Sequence, residues 1–169
     1  NSDLSDQEWE ELEVLIKKYF SRISNTEESL RNVKWSIKSI DFDNMFTYGK
    51  NNRIDFNSFK GITGIFGKNR SGKSSIVGTL MYALFNTTDR GPIKNLHIIN
   101  SRKGHCKTSI DLCVGGKNLR IERQSVKHEN RRGEVSAVTQ LNLHEIDSSG
   151  EVIRDLTEEQ RRETEKVTR

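Results

Sequence analysis

The residues with the clearest chemistry form one eight-residue segment, Gly67-Lys68-Asn69-Arg70-Ser71-Gly72-Lys73-Ser74. It matches G-x-x-x-x-G-K-[S/T], a pattern in which backbone N–H groups surround phosphate oxygens. In such a loop the lysine reaches the β- and γ-phosphates, and the final hydroxyl binds Mg²⁺. We therefore predict a nucleotide site with Lys73 as its catalytic cation and Ser74 as its metal ligand. The predicted binding residues are Gly67, Lys68, Asn69, Arg70, Ser71, Gly72, Lys73, Ser74 and Ser75.

The segments on either side of this loop have the composition that the chemistry requires. The apolar run at residues 62–66 predicts a buried strand, and residues 75–85 predict a helix. A helix that begins at the loop directs its positive N-terminal end at the phosphates. The sequence therefore predicts strand, loop and helix in that order.

Other patterns predict the elements around the loop. Residues 4–23 predict an amphipathic helix, capped by Ser5 and Glu8, that packs either on its own domain or on a partner. Two strands precede the loop, and alternating strands follow a long irregular stretch that contains the only proline. The predicted strands are residues 35–42, 53–56, 107–114, 118–126, 135–146 and 152–153, and a last helix begins at Thr157. The pair Gly115-Gly116 indicates a hairpin turn.

Composition limits the possible classes of protein. The 169 residues fit one domain or a large piece of one, with a formal net charge of +4. The two cysteines, Cys106 and Cys113, form no metal or disulfide framework, and the four histidines lack metal-ligand spacing. We therefore expect a reducing compartment, namely the cytoplasm, or the nucleus of a eukaryote. With no long apolar stretch and no signal sequence, we expect no membrane partner.

Positive charge is concentrated in one part of the chain. Acidic residues dominate before residue 33, whereas basic residues dominate between residues 90 and 132. The basic set is either a solvated β surface or a track for DNA phosphates. The candidate DNA contacts are Arg102, Lys103, Lys127, Arg131 and Arg132. Asp89, Arg90 and Gly91 either contact a nucleotide or form an ordinary turn.

The order of these segments resembles a known family. The matching segments are residues 42–49, 54–56, 67–76, 80–85, 98–101, 109–112, 119–123 and 163–167. Together they resemble the N-terminal half of the SMC-like, ABC-class ATPase heads, in particular the SbcC/Rad-fifty DNA-repair ATPases and their phage recombination-nuclease relatives. The resemblance implies an α/β P-loop NTPase fold with an antiparallel β meander and one main P-loop helix. It covers residues 35–169, which would end at the start of a coiled-coil-leading helix, and residues 1–34 precede it as helix and connector.

The resemblance also implies a function and partners. ATP and Mg²⁺ would be the cofactors of a double-strand-break repair or recombination ATPase. Its partners would be the C-terminal lobe of the same head, a second head across an ATP sandwich, a nuclease of the Mre-eleven/SbcD type, and duplex DNA. The sequence contains neither four apolar residues followed by Asp-Glu nor a Leu-Ser-Gly-Gly signature. We therefore expect the chain alone to be catalytically incomplete.

One departure from the family and two other functions stay open. Such heads usually have glycine where this chain has Arg70, so the arginine either strains the loop or adds a cation near the phosphates. The alternatives are a chromosome-organising ATPase of the SMC, RecN or RecF kind, and a nucleotide- or DNA-binding module without turnover. A zinc hook in a downstream coiled coil would favour the repair ATPase, and a globular hinge would favour the chromosome organiser.

Overall fold

The chain divides into two compact units, residues Asn1–Lys34 and Trp35–Arg169. The computed structural model describes residues 13–16, 18, 33–89 and 95–157. In the first unit the described residues from 13 to 18 are helical, as the sequence predicts at those positions. The rest of the predicted helix 4–23, its caps, and the predicted final helix after Thr157 lie outside the described residues.

The second unit is built on a six-stranded antiparallel sheet. Its strand order is β2-β1-β3-β4-β5-β6. The strands are β1 Trp35–Asp43, β2 Asn52–Asp55, β3 His105–Val114, β4 Lys117–Glu129, β5 Val135–Ile146 and β6 Val152–Asp155. Each coincides with a predicted strand to within a few residues. Strands β3 to β6 pair in sequence order as a meander. Strand β1 lies between β2 and β3 and pairs with both.

The β3–β4 hairpin turns at the predicted glycine pair. Gly115 and Gly116 have φ angles of 57° and 84°. Positive φ at both central residues matches the twist of the flanking strands, and glycine adopts it without steric penalty. The turn fixes the register in which Val114 pairs with Lys117. That register places alternate residues of both strands on the core side.

The core lies between one face of the sheet and α1, the helix Lys73–Phe85. Strands β1, β3, β4 and β5 contribute their inward apolar positions, and α1 contributes Tyr82 and Ala83. The buried strand residues are Ile40, Phe42, Cys106, Ile110, Leu112, Ile121, Leu141 and Leu143. Met45, Ile98 and Ile99 fill the space beside the helix. Burial of each large apolar side chain stabilises the fold by about 1.5–3 kcal/mol.

A chain of buried hydroxyl groups ties α1 to the sheet. Tyr82 Oη lies 2.6 Å from Ser125 Oγ, and Ser125 Oγ lies 2.6 Å from Thr139 Oγ1. Asn95 Nδ2 donates to the same threonine oxygen at 2.6 Å. Burial raises the pKa of Tyr82 above its usual range and raises that of the Cys106 thiol to about 11. Both groups therefore stay neutral at physiological pH, and the chain of hydroxyls fixes the helix over β4 and β5.

Arg123 is a correction to the expected basic surface. It lies within residues 90–132, whose basic residues were expected to form a solvated β surface or a DNA track, but it is only 1% exposed. Its Nε donates to the Ala83 carbonyl at 3.4 Å, near the C-terminal end of α1. The guanidinium also lies 5.8 Å from the centre of the Tyr82 ring. A cation is favourable at the negative end of a helix and over an aromatic face. Arg123 is therefore part of the core and takes no part in an exposed basic surface.

The opposite face of the sheet carries charged pairs. Arg120 donates to both carboxylate oxygens of Asp111, at 2.7 and 2.9 Å, and these bonds raise the pKa of the arginine. Lys107 Nζ lies 3.2 Å from Glu122, and Arg53 lies 2.7 Å from Asp41. The two more exposed pairs, Lys107–Glu122 and Arg53–Asp41, contribute little to stability, up to about 1 kcal/mol each. They do neutralise the charge of this face.

The segment at residues 62–66, called the lead-in segment below, is the other correction. The prediction of a buried strand there is wrong, because no strand is assigned and each of its residues is exposed. Phe66 is 94% exposed and Ile62 is fully exposed. Within the described part of the chain, no strand pairs with it. An apolar run becomes a buried strand only where neighbouring strands accept its backbone hydrogen bonds, so the composition alone was misleading.

Candidate nucleotide site

The predicted phosphate loop is a tight structure that requires its glycines. A Cβ on Gly67 would meet Ser71 Oγ at 2.9 Å, and a Cβ on Gly72 would meet Thr47 Oγ1 at 2.8 Å. Gly72 also has a φ of +89°, which side chains rarely adopt. The loop is therefore closely packed against itself and against the loop that follows β1.

Within the loop, four residues form a turn centred on Asn69 and Arg70. The Ser71 N–H donates to the Lys68 carbonyl at 3.2 Å, which closes the turn. Arg70 occupies its third position with a φ of +66°. Turns of this shape favour glycine or asparagine there. A non-glycine residue in this conformation is strained by an amount on the order of 1 kcal/mol.

Helix α1 starts at the end of the loop with its N-terminus open. Gly72 is the N-cap, no side chain caps the helix, and its first turn contains no acidic residue. The first backbone N–H groups of a helix lack partners within the helix and carry a partial positive charge. This end of α1 can therefore accept an anion without repulsion from a neighbouring carboxylate.

Lys73 extends back over the loop. Its Nζ donates to the carbonyl oxygens of Gly67 and Lys68, both at 2.8 Å. The ammonium is thus held at the loop by two solvent-exposed hydrogen bonds. The role of Lys73 as the catalytic cation stays a prediction, and it requires the ammonium to contact a phosphate in the loop.

The loop after β1 supports the phosphate loop, which the sequence reasoning missed. Tyr48 Oη donates to the Gly72 carbonyl at 3.1 Å. Asn100 Nδ2 donates to the Tyr48 carbonyl at 3.1 Å, and the Asn100 N–H donates to the Asn44 carbonyl at 2.8 Å. The Tyr48–Gly72 bond joins residues 24 apart in sequence, and Asn100 is 52 residues from Tyr48. The matching segments 42–49 and 98–101 of the family resemblance were the sequence signals for this support.

An open cleft of about 770 Å³ lies beside the loop. This volume falls within the range of ligand pockets, which is about 300–1,000 Å³. The loop and α1 contribute Arg70, Gly72, Ser74 and Ser75. The other lining residues are Phe46, Thr47, Leu96, His97, Ile99, Ser101, Lys127 and Val135. The cleft therefore combines apolar surface with cations, as a site for a nucleoside joined to phosphates requires.

The candidate DNA residues lie at one end of the sheet. The Lys127 N–H donates to the Gly104 carbonyl at 2.7 Å, which brings the turn containing Arg102 and Lys103 beside β4. Arg131 and Arg132 lie in the turn between β4 and β5. We call these five residues the cationic end. Lys127 also lines the cleft, and its Nζ lies 3.5 Å from the Ser101 carbonyl. It is therefore closer to the candidate nucleotide site than the sequence suggested.

Three of the four histidines and Asp89 lie next to the cleft or to other residues of the fold. His97 lines the cleft, His105 Nε2 lies 3.5 Å from Asn44 Nδ2, and His144 lies 3.4 Å from Asp155. Asp89 approaches α1 at Gly78, and Arg90 and Gly91 lie outside the described residues. Over residues 13–16, 18, 33–89 and 95–157, no group of three His, Cys, Asp or Glu side chains could hold a metal ion. No helix in these ranges is long and apolar enough to cross a membrane.

Comparisons with known proteins give a family and several similar proteins, among them the following two. Residues 39–169 match the AAA_23 family, which is described as an AAA domain. Protein R555 of Acanthamoeba polyphaga mimivirus is 32% identical over 127 residues, which are 69% of this chain and 9% of that protein's length. The recombination mediator protein RecF, solved with ATP in the RecFOR pathway, is similar at 20% identity. The match covers 69% of this chain and 29% of RecF, with a TM-score of 0.48.

Proposed function

This chain belongs to the AAA_23 family of AAA domains, an SMC-like ATPase family, and on that premise we propose that it is the ATP-binding N-terminal lobe of an ATPase head. The head works in the repair of DNA double-strand breaks or in recombination, together with a nuclease subunit of the Mre-eleven/SbcD type. The nuclease partner rests on the family resemblance of residues 35–169. The nucleotide rests on the geometry of the loop.

One observation carries the proposal of ATP binding. Lys73, the open N-terminus of α1 and the 770 Å³ cleft meet at the same loop. The cation and the helix end favour a chain of phosphates, and the apolar surface of the cleft favours a base and sugar. A nucleoside triphosphate would match both features, with its phosphates in the loop and its base and sugar in the cleft.

Ser74 fits the proposed role of metal ligand. It is the first residue after Lys73, it is exposed, and it lines the cleft. A hydroxyl with no carboxylate in the first turn of α1 suits Mg²⁺, which usually keeps several waters and binds through nucleotide phosphates. When bound, Mg²⁺ would neutralise charge on the β- and γ-phosphates. The chain would supply one ligand to it, and the other ligands would come from the nucleotide and water.

A C-terminal lobe and a second head would complete the site. Of the described residues that line the cleft, none is Asp or Glu, so this lining has no carboxylate to polarise a water molecule. The exposed apolar lead-in segment is the surface that we assign to the C-terminal lobe. Strands from that lobe would accept its backbone hydrogen bonds and cover Ile62 and Phe66.

We expect the isolated 169-residue chain to bind ATP with Mg²⁺ weakly and to hydrolyse it no faster than the solution reaction. The loop supplies binding contacts, but nothing in the described cleft activates water. Calorimetric titration and a phosphate-release assay measure the two parts. Steady turnover by the purified chain would contradict the incomplete site, and the absence of saturable binding would contradict the proposed function.

The cationic end supports a contact with duplex DNA by the complete head. Arg102, Lys103, Arg131 and Arg132 have no side-chain ion pair with any residue that the structure describes. The cations on the sheet face, by contrast, are paired with carboxylates. Contacts to phosphates release counterions, so the binding should fall steeply with salt and depend little on DNA sequence.

Replacement of Arg102, Arg131 and Arg132 by alanine in the complete head should lower the salt slope of DNA binding by roughly three. Lys127 is left intact because it lines the cleft. DNA titrations at several salt concentrations give the slope. Lys117→Ala, at the other end of β4, is the control and should leave the slope unchanged. Equal slopes for the triple variant and wild type would place the DNA contact elsewhere.

A further inference from the structure

Arg70 has a backbone conformation that favours another residue. It is the third residue of the turn closed by Ser71 and Lys68, and its φ is +66°. Glycine adopts this conformation without penalty, and asparagine adopts it more readily than arginine does. Folding alone therefore does not explain an arginine at this position.

The Arg70 side chain is exposed on the wall of the cleft. It shares that wall with Gly72 and Ser74. It makes no hydrogen bond or ion pair with any residue in the described part of the chain. Lys73 differs, because loop carbonyls hold its ammonium. The guanidinium thus stands at the candidate nucleotide site with its donors directed to no described protein group.

We propose that Arg70 binds the phosphates of the nucleotide and strengthens the preference of the site for a triphosphate over a diphosphate. The inference rests on the proposed function of the loop. A guanidinium presents several N–H donors in a plane and binds phosphate oxygens bidentately. ATP carries one more negative charge than ADP, so an added cation favours ATP more. The contribution of the Arg70 charge to phosphate binding would offset the backbone strain in the turn.

Three variants separate charge from backbone strain. R70G removes both, R70N removes the charge and tolerates the turn, and R70K keeps the charge and the strain. Calorimetry on the 169-residue chain measures Kd for ATP·Mg²⁺ and ADP·Mg²⁺ at low and high salt. We expect R70G and R70N to lose about tenfold in ATP affinity at low salt, with a smaller loss for ADP. R70K keeps the charge but loses the bidentate fork, so its ATP affinity should fall between those of wild type and R70N, and added salt should shrink the differences.

The melting temperature of R70G should change in the direction opposite to its ATP affinity. R70G relieves the strained turn, so its Tm should rise by a few degrees while its ATP affinity falls. Unchanged or tighter ATP binding by R70G and R70N would overturn the inference. The inference would also be overturned if R70K bound ATP no more tightly than R70N does. No ATP binding by the wild-type chain would overturn the proposed function along with it, whereas normal wild-type binding with indifferent variants would overturn the role of Arg70 alone.

Discussion

Replacement of Lys73 by alanine is expected to remove measurable ATP·Mg²⁺ binding, a loss of at least about 100-fold. The ammonium lies 2.8 Å from the carbonyl oxygens of Gly67 and Lys68, at the position where phosphates would enter the loop. Its loss removes a charge-assisted contact to phosphate, and it leaves the oxygens of the loop facing a polyanion without a cation between them. Both effects act against the bound state. Calorimetric titration of wild type and variant measures the loss.

The matched control for this prediction is Lys60→Ala, which removes the same charge from an exposed lysine outside the loop. It should bind ATP as wild type does, within about twofold, because distant exposed charges are screened by salt. The Lys73 variant should also keep a Tm close to wild type, since it loses two exposed hydrogen bonds and no buried apolar surface. An equal loss in both variants would indicate that net charge, and not the position of Lys73, governs binding.

The second large effect concerns the lead-in segment. Ile62→Ser combined with Phe66→Ser should weaken association of the chain with the C-terminal lobe of the same head by at least about 100-fold. Each large apolar side chain that becomes buried contributes about 1.5–3 kcal/mol, so two of them account for a factor of this size. In the isolated chain the same double change should alter Tm little, because both side chains are already exposed. Co-purification and a titration between the two lobes measure the association.

Val138→Ser is the control for the lead-in segment. Val138 is also an exposed apolar residue, but it lies within β5 and is paired with Val126 of β4. Its replacement should leave the association of the two lobes unchanged. If the double variant binds the C-terminal lobe as tightly as wild type, the exposed segment is not the contact surface.

Local patterns in the sequence were sufficient to predict most of the sheet. The alternation at residues 135–146 matches β5, and the glycine pair at 115–116 matches the turn of the β3–β4 hairpin. The alternation along β4 places Arg123 on the core side with Ile121, although the basic residues between 90 and 132 were expected to be exposed. A positively charged residue at an inward position of a strand needs partners from another element. Here the Ala83 carbonyl and the Tyr82 ring provide them, and neither is visible from the strand itself.

Contacts between distant segments explain what the sequence could not predict at the site. The motif identified the loop and the helix, but it contained no signal for the bond between Tyr48 and the Gly72 carbonyl. Nor did it place Lys127 in the cleft, since that depends on the register of β3 against β4. The error at residues 62–66 has a related cause. The burial of a strand depends on its neighbours, and a single segment does not reveal whether those neighbours exist.

The paired charges on the sheet face have a consequence for how the molecule would meet a polyanion. Asp41, Asp111 and Glu122 each neutralise a cation there, while the cationic end keeps its charge. Among the described residues of the second unit, the sheet face therefore has paired charges, whereas the cationic end carries positive charge without carboxylate partners. If the complete head binds DNA as proposed, this uneven charge would orient it as well as attract it before contact. The cationic end would then face the DNA, and the sheet face with the paired charges would remain accessible to other proteins.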